Sequence, residues 1–335
     1  MFDLIDKRVL VTGASGFLGR HVIRMLESRG SEPIYTDGRW DFREELPTLS
    51  SIREESPDVV LHLAARCGGI GANMSRPGDF IVDNLRMGLN IIEACKDCEI
   101  RVVVIGTVCS YPEHNDRPIK ESELWKGYPE PTNAPYGIAK RTLGEVLAAY
   151  HKQHGLKCAY PILANLYGLG DNFDPETSHV IPAMICKFTD ARRDGIEHVT
   201  CWGTGEPTRD FLFVEDAAEA IIRVAERIES PEPINIGTGI GTSIKEIADR
   251  LAVLCGFNGN IRWNSTMPNG QMRRVLETTR QRLMLDWKPA VALDEGLRRT
   301  VEWWNSETRR PGEFRHKPGL FGVPDPIRVD KGKAL

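Results

Sequence analysis

A tyrosine and a lysine four residues apart are the clearest candidates for proton-transfer chemistry in this sequence. Three residues separate Tyr136 from Lys140, a spacing that places both side chains on one face of a helix. Pro135 suits the first turn of such a helix. A tyrosine with its ordinary pKa of about 10 is a poor base at neutral pH, and an adjacent ammonium lowers that pKa by favouring the phenolate. The pair can therefore move a proton to or from a substrate oxygen.

A glycine-rich turn near the N-terminus predicts a dinucleotide site. Gly13, Gly16 and Gly19 follow a short β-branched run and open an amphipathic stretch. In a strand-turn-helix unit the first glycine makes the turn, the second lets the backbone approach a pyrophosphate, and the third lets the helix pack on the strand. An ordinary loop between a strand and a helix is the alternative. The candidate cofactor-binding residues of this turn are Gly13, Ser15, Gly16, Phe17, Leu18 and Gly19.

Two residues at the end of the second predicted strand bear on the choice of cofactor. Asp37 lies roughly twenty residues beyond the glycines, where a carboxylate accepts hydrogen bonds from the adenosine ribose and repels a 2′-phosphate. This position favours NAD. Arg39 could instead pair with a 2′-phosphate, so NADP stays open. Because Asp37 precedes a glycine, a plain turn is a further alternative.

Strand and helix patterns alternate around these residues, which indicates a parallel sheet covered on both faces. Strands are predicted at residues 8–12, 33–36, 58–63, 101–105, 158–163 and 234–236, and helices at 21–28, 78–95, 136–151 and 214–227. The predicted fold class is α/β, a Rossmann-type doubly wound parallel sheet with a smaller C-terminal α/β substrate-binding lobe. The dinucleotide-binding domain is expected at residues 1–168, rejoined by about 212–236, and the second lobe and tail at 169–211 and 237–335.

Net charge and apolar patterning limit the classes of partner that this protein is expected to bind. The chain has 335 residues and a net charge of −4, so it offers no electrostatic basis for binding nucleic acid. Anionic ligands must be held by local arginines and helix N-termini. The start lacks the apolar core of a signal peptide, and no apolar run approaches the roughly 20 residues that cross a bilayer. We therefore expect no membrane partner and a cytoplasmic location.

Eight cysteines are scattered along the chain. Their spacing does not resemble a disulfide framework, and reduced thiols are expected. Cys95 and Cys98 form a C-x-x-C pair at the end of a helical pattern, but no second pair accompanies them. No metal site is predicted, because a structural zinc site of this type needs a second pair of ligands.

The sequence resembles the extended short-chain dehydrogenase/reductases, the NAD-dependent epimerase/dehydratase family, and within it the GDP-L-fucose synthases. The resemblance runs through most of the chain. Its most specific part is Asn165-Leu166-Tyr167-Gly168 with the stretch at 175–182. The remaining matching blocks are residues 62–65, 68–70, 106–112, 130–136, 171–173, 202–203 and 209–211.

This resemblance implies a nucleotide-sugar epimerase and reductase. The GDP-L-fucose synthases epimerise C3 and C5 of GDP-4-keto-6-deoxymannose and then reduce the C4 ketone. Tyr136 corresponds to the acid of the reduction, and Lys140 to the residue that binds the nicotinamide ribose. Thr107 stands where the family usually has serine, and its hydroxyl can still bond the C4 oxygen. Cys109 and His179 match the base and the acid of the epimerisation, in which a cation near a thiol favours the thiolate.

The resemblance also implies binding residues and a homodimer. Without it, a lone cysteine at a strand end would be a buried hydrophobe, and Trp202 and Arg209 would be a core aromatic and an ion-pair member. The further cofactor-binding candidates are Asp41, Leu63, Ala64, Ala65, Tyr136, Lys140, Leu163, Asn165, Leu166 and His179. The candidates for binding substrate, as guanine and diphosphate contacts above all, are Thr107, Asn165, Val180, Lys187, Trp202, Arg209, Arg273 and Arg274.

Two departures from the family pattern keep other functions open. Ala14-Ser15 stands where GDP-L-fucose synthases typically carry a basic residue that helps hold NADP, and Asp37 also argues against NADP. A redox-neutral NAD-dependent epimerase, similar to GDP-mannose 3,5-epimerase, is one alternative, and a 4-ketoreductase without epimerase activity is another. A non-catalytic dinucleotide-binding regulator is the third. The intact set of Thr107, Cys109, Tyr136, Lys140 and His179 argues against this last alternative.

Overall fold

The computed structural model describes residues 2–36 and 40–308. Asp37 and Arg39, the two residues on which the predicted choice between NAD and NADP depends, lie outside the described residues, as does the tail from residue 309.

Helices and strands alternate along the described chain. The helices are α1 (Phe17–Ser28), α2 (Glu45–Glu55), α3 (Ile70–Ser75), α4 (Pro77–Asp97), α5 (Ala134–His154), α6 (Val180–Arg193), α7 (Val214–Arg227), α8 (Ile244–Cys255), α9 (Thr279–Leu285) and α10 (Leu293–Thr308), with short 3₁₀ turns at Val108–Ser110 and Glu121–Glu123. The strands are β1 (Arg8–Thr12), β2 (Glu32–Tyr35), β3 (Val59–His62), β4 (Arg101–Val104), β5 (Gly106–Thr107), β6 (Cys158–Leu163), β7 (Asn165–Tyr167), β8 (His198–Trp202), β9 (Thr208–Arg209), β10 (Phe211–Phe213), β11 (Pro233–Ile236), β12 (Thr242–Ser243), β13 (Asn260–Asn264) and β14 (Arg273–Arg274).

A parallel sheet forms the centre of the molecule. Its strand order is β11-β6-β4-β3-β1-β2, and β5 pairs with β6. All of these pairings are parallel. The chain runs from β1 outward to β2 and then returns to β3 on the other side of β1, which makes the carboxyl end of β1 a topological switch point. Ligands of open α/β sheets bind at such points. The predicted Rossmann-type α/β fold is confirmed.

Burial explains why this sheet is stable. Every residue of β3, β4 and β6 is buried, as expected for strands that are covered on both faces. Helix α1 packs against α7, and α4 packs against α5 and α2. The amphipathic helix α7 and strand β11 thus return to the first core after the chain has left it. None of the helices in the described residues is both long and apolar enough to cross a bilayer.

A second hydrophobic core lies beyond β7. Helix α8 packs against α6 and α10, and β8 pairs with β13 at the edge of this core. Phe173 stacks on Trp304 with ring centroids 4.3 Å apart. The first core, however, also takes in Leu276, Leu285 and Trp287. The sequence-based division placed these three residues in the smaller lobe, but α9 packs on α7 and β11 of the central sheet.

Candidate active site

The glycine-rich turn connects β1 to α1 at the switch point of the sheet. Gly13 has a φ of +71°, in the region that favours glycine, and its carbonyl oxygen accepts a 2.9 Å hydrogen bond from the amide of Gly16. A Cβ atom at position 19 would lie 2.1 Å from that oxygen, so Gly19 is required for the close approach. The N-terminus of α1 has no side-chain cap and no acidic residue in its first turn. Its free amides and positive dipole end fit the pyrophosphate of a dinucleotide.

The end of β3 forms the other side of this turn. A Cβ atom on Gly13 would lie 3.0 Å from the backbone of Ala64, so the predicted cofactor residues 63–65 lie beside the glycines. The Thr12 hydroxyl accepts a 3.0 Å hydrogen bond from the Ala64 amide and lies 2.9 Å from His62 Nδ1. Burial lowers the pKa of His62, and the charge of Lys140 lowers it further. Thr12 and a neutral His62 therefore fix the loop, although sequence analysis assigned no role to either side chain.

The other cofactor candidates are more dispersed. The carboxylate of Asp41 accepts a 2.8 Å hydrogen bond from Arg43 Nε, and this partner lowers the pKa of Asp41. The side-chain amide of Asn165 donates to the carbonyl oxygen of Asp210 over 2.9 Å. Leu163 ends β6 and is buried, whereas Leu166 packs partly buried against the first core. Asp41 and Asn165 thus already have partners within the chain.

Thr107, Cys109 and Tyr136 come together where α5 begins. A Cβ atom at Gly137 would lie 2.3 Å from the carbonyl oxygen of Cys109, so the helix meets the 3₁₀ turn in direct backbone contact. The Ser110 hydroxyl donates a 2.9 Å hydrogen bond to the Gly137 carbonyl oxygen. The Thr107 hydroxyl accepts one of 3.3 Å from the Cys109 amide. The turn that holds the thiol is therefore fixed to the helix that carries the phenol.

Burial changes the acid–base properties of the Tyr136–Lys140 pair. Lys140 is only 2% exposed, and the loss of solvation lowers its pKa to about 8. Burial raises the pKa of Tyr136 well above its ordinary value, and the nearby thiols Cys67 and Cys109 raise it further. The expectation that the lysine lowers the tyrosine pKa is wrong, because desolvation of the phenolate dominates. Tyr136 is thus a neutral phenol, suited to donating a proton.

The sulfur of Cys109 faces a cation. Arg274 Nη1 donates a 3.2 Å hydrogen bond to Cys109 Sγ. Arg274 pairs in register with Arg209 across strands β14 and β9. Arg209 is buried, and burial together with the charge of Arg274 lowers its pKa to about 9. Both arginines are predicted to bind the substrate. The structure places Arg274 against the thiol of Cys109.

His179 lies across the site, exposed at the N-terminus of α6. Its Nε2 atom is 3.8 Å from the sulfur of Cys67. No hydrogen bond joins His179 to Cys109 in the part of the chain that the structure describes. His179 lies instead beside the thiol of Cys67, for which the sequence predicted no role. The only signal for Cys67 was its location inside the block at 62–70. It reaches His179 because Gly69 touches the backbone of Ser178, where a Cβ atom would lie 2.5 Å from the carbonyl oxygen.

Asp171 is a buried carboxylate in the same region. Its Oδ1 atom accepts a 2.7 Å hydrogen bond from the Asn172 amide, whereas the buried Oδ2 atom has no hydrogen-bond partner within residues 2–36 and 40–308. Burial raises the pKa of Asp171 to about 6, and the charge of His179 opposes this shift. In the sequence, Asp171 stands only as one residue of the matching block at 171–173.

The remaining substrate candidates border the second lobe. Trp202 is 50% exposed at the end of β8, and a Cβ atom on Gly71 would lie 3.8 Å from its ring. Lys187 Nζ donates a 2.9 Å hydrogen bond to the carbonyl oxygen of Thr200. Val180 is the first residue of α6, beside His179. The buried Nε atom of Arg273 has no hydrogen-bond partner in the part of the chain that the structure describes.

Comparison with known proteins agrees with this architecture. The sequence model of the NAD-dependent epimerase/dehydratase family matches residues 9–237, more than half of the chain. The chain is a member of this family. The predicted family and enzyme class, an NAD(P)-dependent enzyme, are confirmed.

Similar proteins include GDP-L-fucose synthases and a GDP-sugar reductase. A probable GDP-L-fucose synthase of Oryza sativa is 36% identical over 307 residues, covering 90% of this chain and 93% of its own length. The GDP-L-fucose synthase of Escherichia coli is 36% identical over 314 residues, covering 89% of this chain and 96% of its own length. Among solved structures, a GDP-mannoheptose C4 reductase from Campylobacter jejuni with NADP bound aligns with a TM-score of 0.81 and 28% identity, covering 90% of this chain and 98% of its own.

Proposed function

We propose that this protein is a GDP-sugar 3,5-epimerase and 4-ketoreductase of the GDP-L-fucose synthase type. The observation that carries the proposal is the grouping of Cys109 and Tyr136 on adjoining turns, with Arg274 donating to the Cys109 sulfur. A plain reductase needs the phenol but has no use for a thiol paired with a cation. The identity to GDP-L-fucose synthases over about nine-tenths of the chain supports the same activity.

The cofactor site uses the switch point of the sheet. The amides at the start of α1 would bind the pyrophosphate, and Gly13, Gly16 and Gly19 leave the space for it. Residues 63–65 would line its other side, and Lys140 would bind the nicotinamide ribose. When bound, the cofactor supplies the hydride that reduces C4. The choice between NAD and NADP stays a prediction that depends on Asp37 and Arg39.

Epimerisation requires a base and an acid beside the ketone. A C4 ketone acidifies the C–H bonds at C3 and C5, so a thiolate can remove either proton and leave an enolate. Cys109 is the base in this proposal, and the guanidinium of Arg274 donates a 3.2 Å hydrogen bond to its sulfur. His179 is the acid that returns a proton to the enolate carbon. The net step at each carbon is one proton lost and one gained.

Reduction of the C4 ketone then uses Tyr136 and Thr107. Tyr136 donates its proton to the C4 oxygen as that oxygen gains charge, and the raised pKa of the phenol keeps the proton in place until then. The Thr107 hydroxyl, next to the Cys109 turn, is free to donate to the same oxygen while it accepts from the Cys109 amide.

Binding of the nucleotide involves the second lobe. Arg209 offers a forked guanidinium for the diphosphate, and the exposed Trp202 offers an aromatic face for the guanine base. Lys187 and Arg273 are further candidates for the phosphates. The proposed division keeps 1–168 and 212–236 as the dinucleotide-binding domain, with 276–287 packed against it. A homodimer and a cytoplasmic location stay predictions.

Proton exchange in deuterated water tests the proposal. With GDP-4-keto-6-deoxymannose and oxidised cofactor, the wild-type enzyme should incorporate deuterium at C3 and C5. The Cys109→Ser variant should suppress this exchange strongly, because an alcohol is a far weaker base than a thiolate. The variant should still reduce a 4-ketosugar whose C3 and C5 already have the product configuration. Reduction by wild-type enzyme without any deuterium at either carbon would contradict the epimerase half.

A 4-ketoreductase without epimerase activity is the second candidate. It is favoured by the similarity to the GDP-mannoheptose C4 reductase, which covers 98% of that chain. The same exchange experiment separates the two, because only the epimerase incorporates deuterium. A redox-neutral epimerase would incorporate deuterium but yield no reduced product with NADH or NADPH. A non-catalytic regulator would bind the dinucleotide and do neither.

A further inference from the structure

A buried glutamine, to which the proposed mechanism gives no role, links the two partners of the thiol contact. Gln271 is 1% exposed, and its Oε1 atom accepts a 3.0 Å hydrogen bond from Arg274 Nε. Its Nε2 atom donates a 3.0 Å hydrogen bond to the carbonyl oxygen of Pro112, which follows the turn that holds Cys109. Because Arg274 Nη1 in turn donates to Cys109 Sγ, these contacts close a ring of hydrogen bonds that includes the thiol.

The neighbours of Gln271 determine the orientation of its amide. A guanidinium only donates hydrogen bonds, and a backbone carbonyl oxygen only accepts them. The amide oxygen must therefore face Arg274, and the amide nitrogen must face Pro112. A reversed amide would leave both contacts unpaired in a buried place, which costs free energy. Since the donors of a guanidinium form a rigid planar fork, the hydrogen bond at Nε also sets the direction of Nη1 toward Cys109.

The backbone on either side of Gln271 is held in place. Gly270 has a φ of +64°, in the region that favours glycine, and a Cβ atom there would lie 3.1 Å from Ile70 Cδ1. The carbonyl oxygen of Met272 accepts a 2.8 Å hydrogen bond from the Thr208 amide. The glutamine side chain thus enters the site from a fixed position.

A neutral amide suits this position better than a carboxylate would. A carboxylate could also accept from Arg274 Nε, but it would place a second acceptor against the carbonyl oxygen of Pro112. It would also bring a negative charge close to the sulfur, where it would repel a thiolate. The amide orients the guanidinium and adds no charge of its own.

We propose that Gln271 is a positioning residue for the epimerisation, because it holds Arg274 against the sulfur of Cys109; this inference rests on the proposed function. Loss of the amide would leave the guanidinium free to rotate away from the sulfur. Tyr136 and Thr107, which serve the reduction, are not members of the ring. Removal of Gln271 should therefore impair proton exchange and spare reduction.

Gln271→Met tests this expectation, since methionine fills a similar space without the two strong hydrogen bonds. With GDP-4-keto-6-deoxymannose and oxidised cofactor in deuterated water, exchange at C3 and C5 should slow by about threefold to tenfold, the range expected for one lost hydrogen bond. Reduction of a 4-ketosugar that already has the product configuration should stay within about twofold of the wild-type rate. Gln271→Leu should give the same pattern, which guards against loss of folding in one variant.

A second buried glutamine provides the matched control. Gln281, on α9, is also 1% exposed. Its amide oxygen accepts a 3.0 Å hydrogen bond from the Gly237 amide, and its nitrogen donates a 2.9 Å hydrogen bond to the Gly237 carbonyl oxygen. Gln281→Met should lower the urea midpoint of unfolding as Gln271→Met does, but it should leave the ratio of exchange rate to reduction rate at the wild-type value.

A double-mutant cycle shows whether Gln271 acts through Arg274. In the Arg274→Gln background, the additional change Gln271→Met should slow exchange by less than about twofold, because the group that Gln271 positions is already absent. A residue that acts independently of Arg274 would instead slow exchange by the same factor in both backgrounds.

Three results would overturn the positioning role and leave the proposed function intact. They are exchange at the wild-type rate in Gln271→Met, equal losses of exchange and reduction in that variant, and the same loss in both backgrounds of the cycle. Wild-type enzyme that incorporates no deuterium at C3 or C5 would contradict the proposed epimerase, and the role of Gln271 would fail with it.

Discussion

Arg274 donates a hydrogen bond to the sulfur of Cys109 across 165 residues of sequence. The contact depends on β14, which pairs with β9 beside the buried Asp210. The amide of Asp210 donates to the Arg274 carbonyl oxygen over 2.9 Å, so the backbone that carries the guanidinium is fixed. The guanidinium is thus held against the sulfur that acts as the base in the proposed epimerisation.

Arg274→Gln should therefore impair epimerisation more than reduction. We expect deuterium exchange at C3 and C5 to slow by roughly tenfold or more, because a charge-assisted hydrogen bond to sulfur contributes about 1.5–3 kcal/mol. Reduction of a substrate with the product configuration should fall much less. Arg193→Gln is the matched control, since Arg193 lies exposed on α6 in ion pairs of little energetic value. Equal losses in both half-reactions would argue against a specific role of Arg274 at Cys109.

Tyr136→Phe should abolish reduction and leave cofactor affinity nearly unchanged. The substitution removes a proton donor and little binding surface, since the ring that packs on Phe80 is kept. Steady-state reduction and a fluorescence titration with NADH and NADPH measure the two properties. Retention of more than a tenth of the wild-type rate would contradict the assignment of the acid.

Lys140→Met should lose activity and gain stability in the cofactor-free protein. The pKa of Lys140 falls from 10.5 to about 8 on folding, so below pH 8 the folded state bears the full cost of burying the ammonium. That cost is up to about 3 kcal/mol. It decreases as pH rises above 8 and is absent above the unfolded pKa. Urea unfolding at pH 7 and pH 10.5 should show a more stable variant at the lower pH only, and a less stable variant at pH 7 would refute the argument.

Asp171→Asn should be stabilised at the higher pH, whereas Lys140→Met should be stabilised at the lower pH. Burial raises the pKa of this carboxyl from 3.8 to about 6, so the charged form costs stability of up to about 3 kcal/mol above pH 6. Below about pH 4 both states are protonated and the cost is absent. The variant should be the more stable protein at pH 7.5 and equal to wild type at pH 4, as measured by urea unfolding. A constant difference at both pH values would indicate a packing effect instead of a charge effect.

Local patterns determined a large part of the fold. The sequence predicted β1, β6 and α7 with the bounds that the structure shows, because β-branched runs and helical periodicity are properties of short segments. It placed Tyr136 and Lys140 on one helix and the glycines at a strand-helix turn for the same reason. Helix α1 begins at Phe17, four residues before its predicted start, because the glycine turn leads directly into it.

Tertiary structure alone decided which side chains meet. No local pattern could pair Cys109 with Arg274, or His179 with Cys67, since these residues lie more than a hundred positions apart and meet through strand pairing and loop contacts. The ionisation of Tyr136 also depends on the tertiary structure. An isolated Tyr-x-x-x-Lys helix predicts a lowered tyrosine pKa, whereas burial in the folded protein raises it. Residue type and spacing set which proton transfers are available, but the free energy of each charge depends on the solvation that only the complete fold removes.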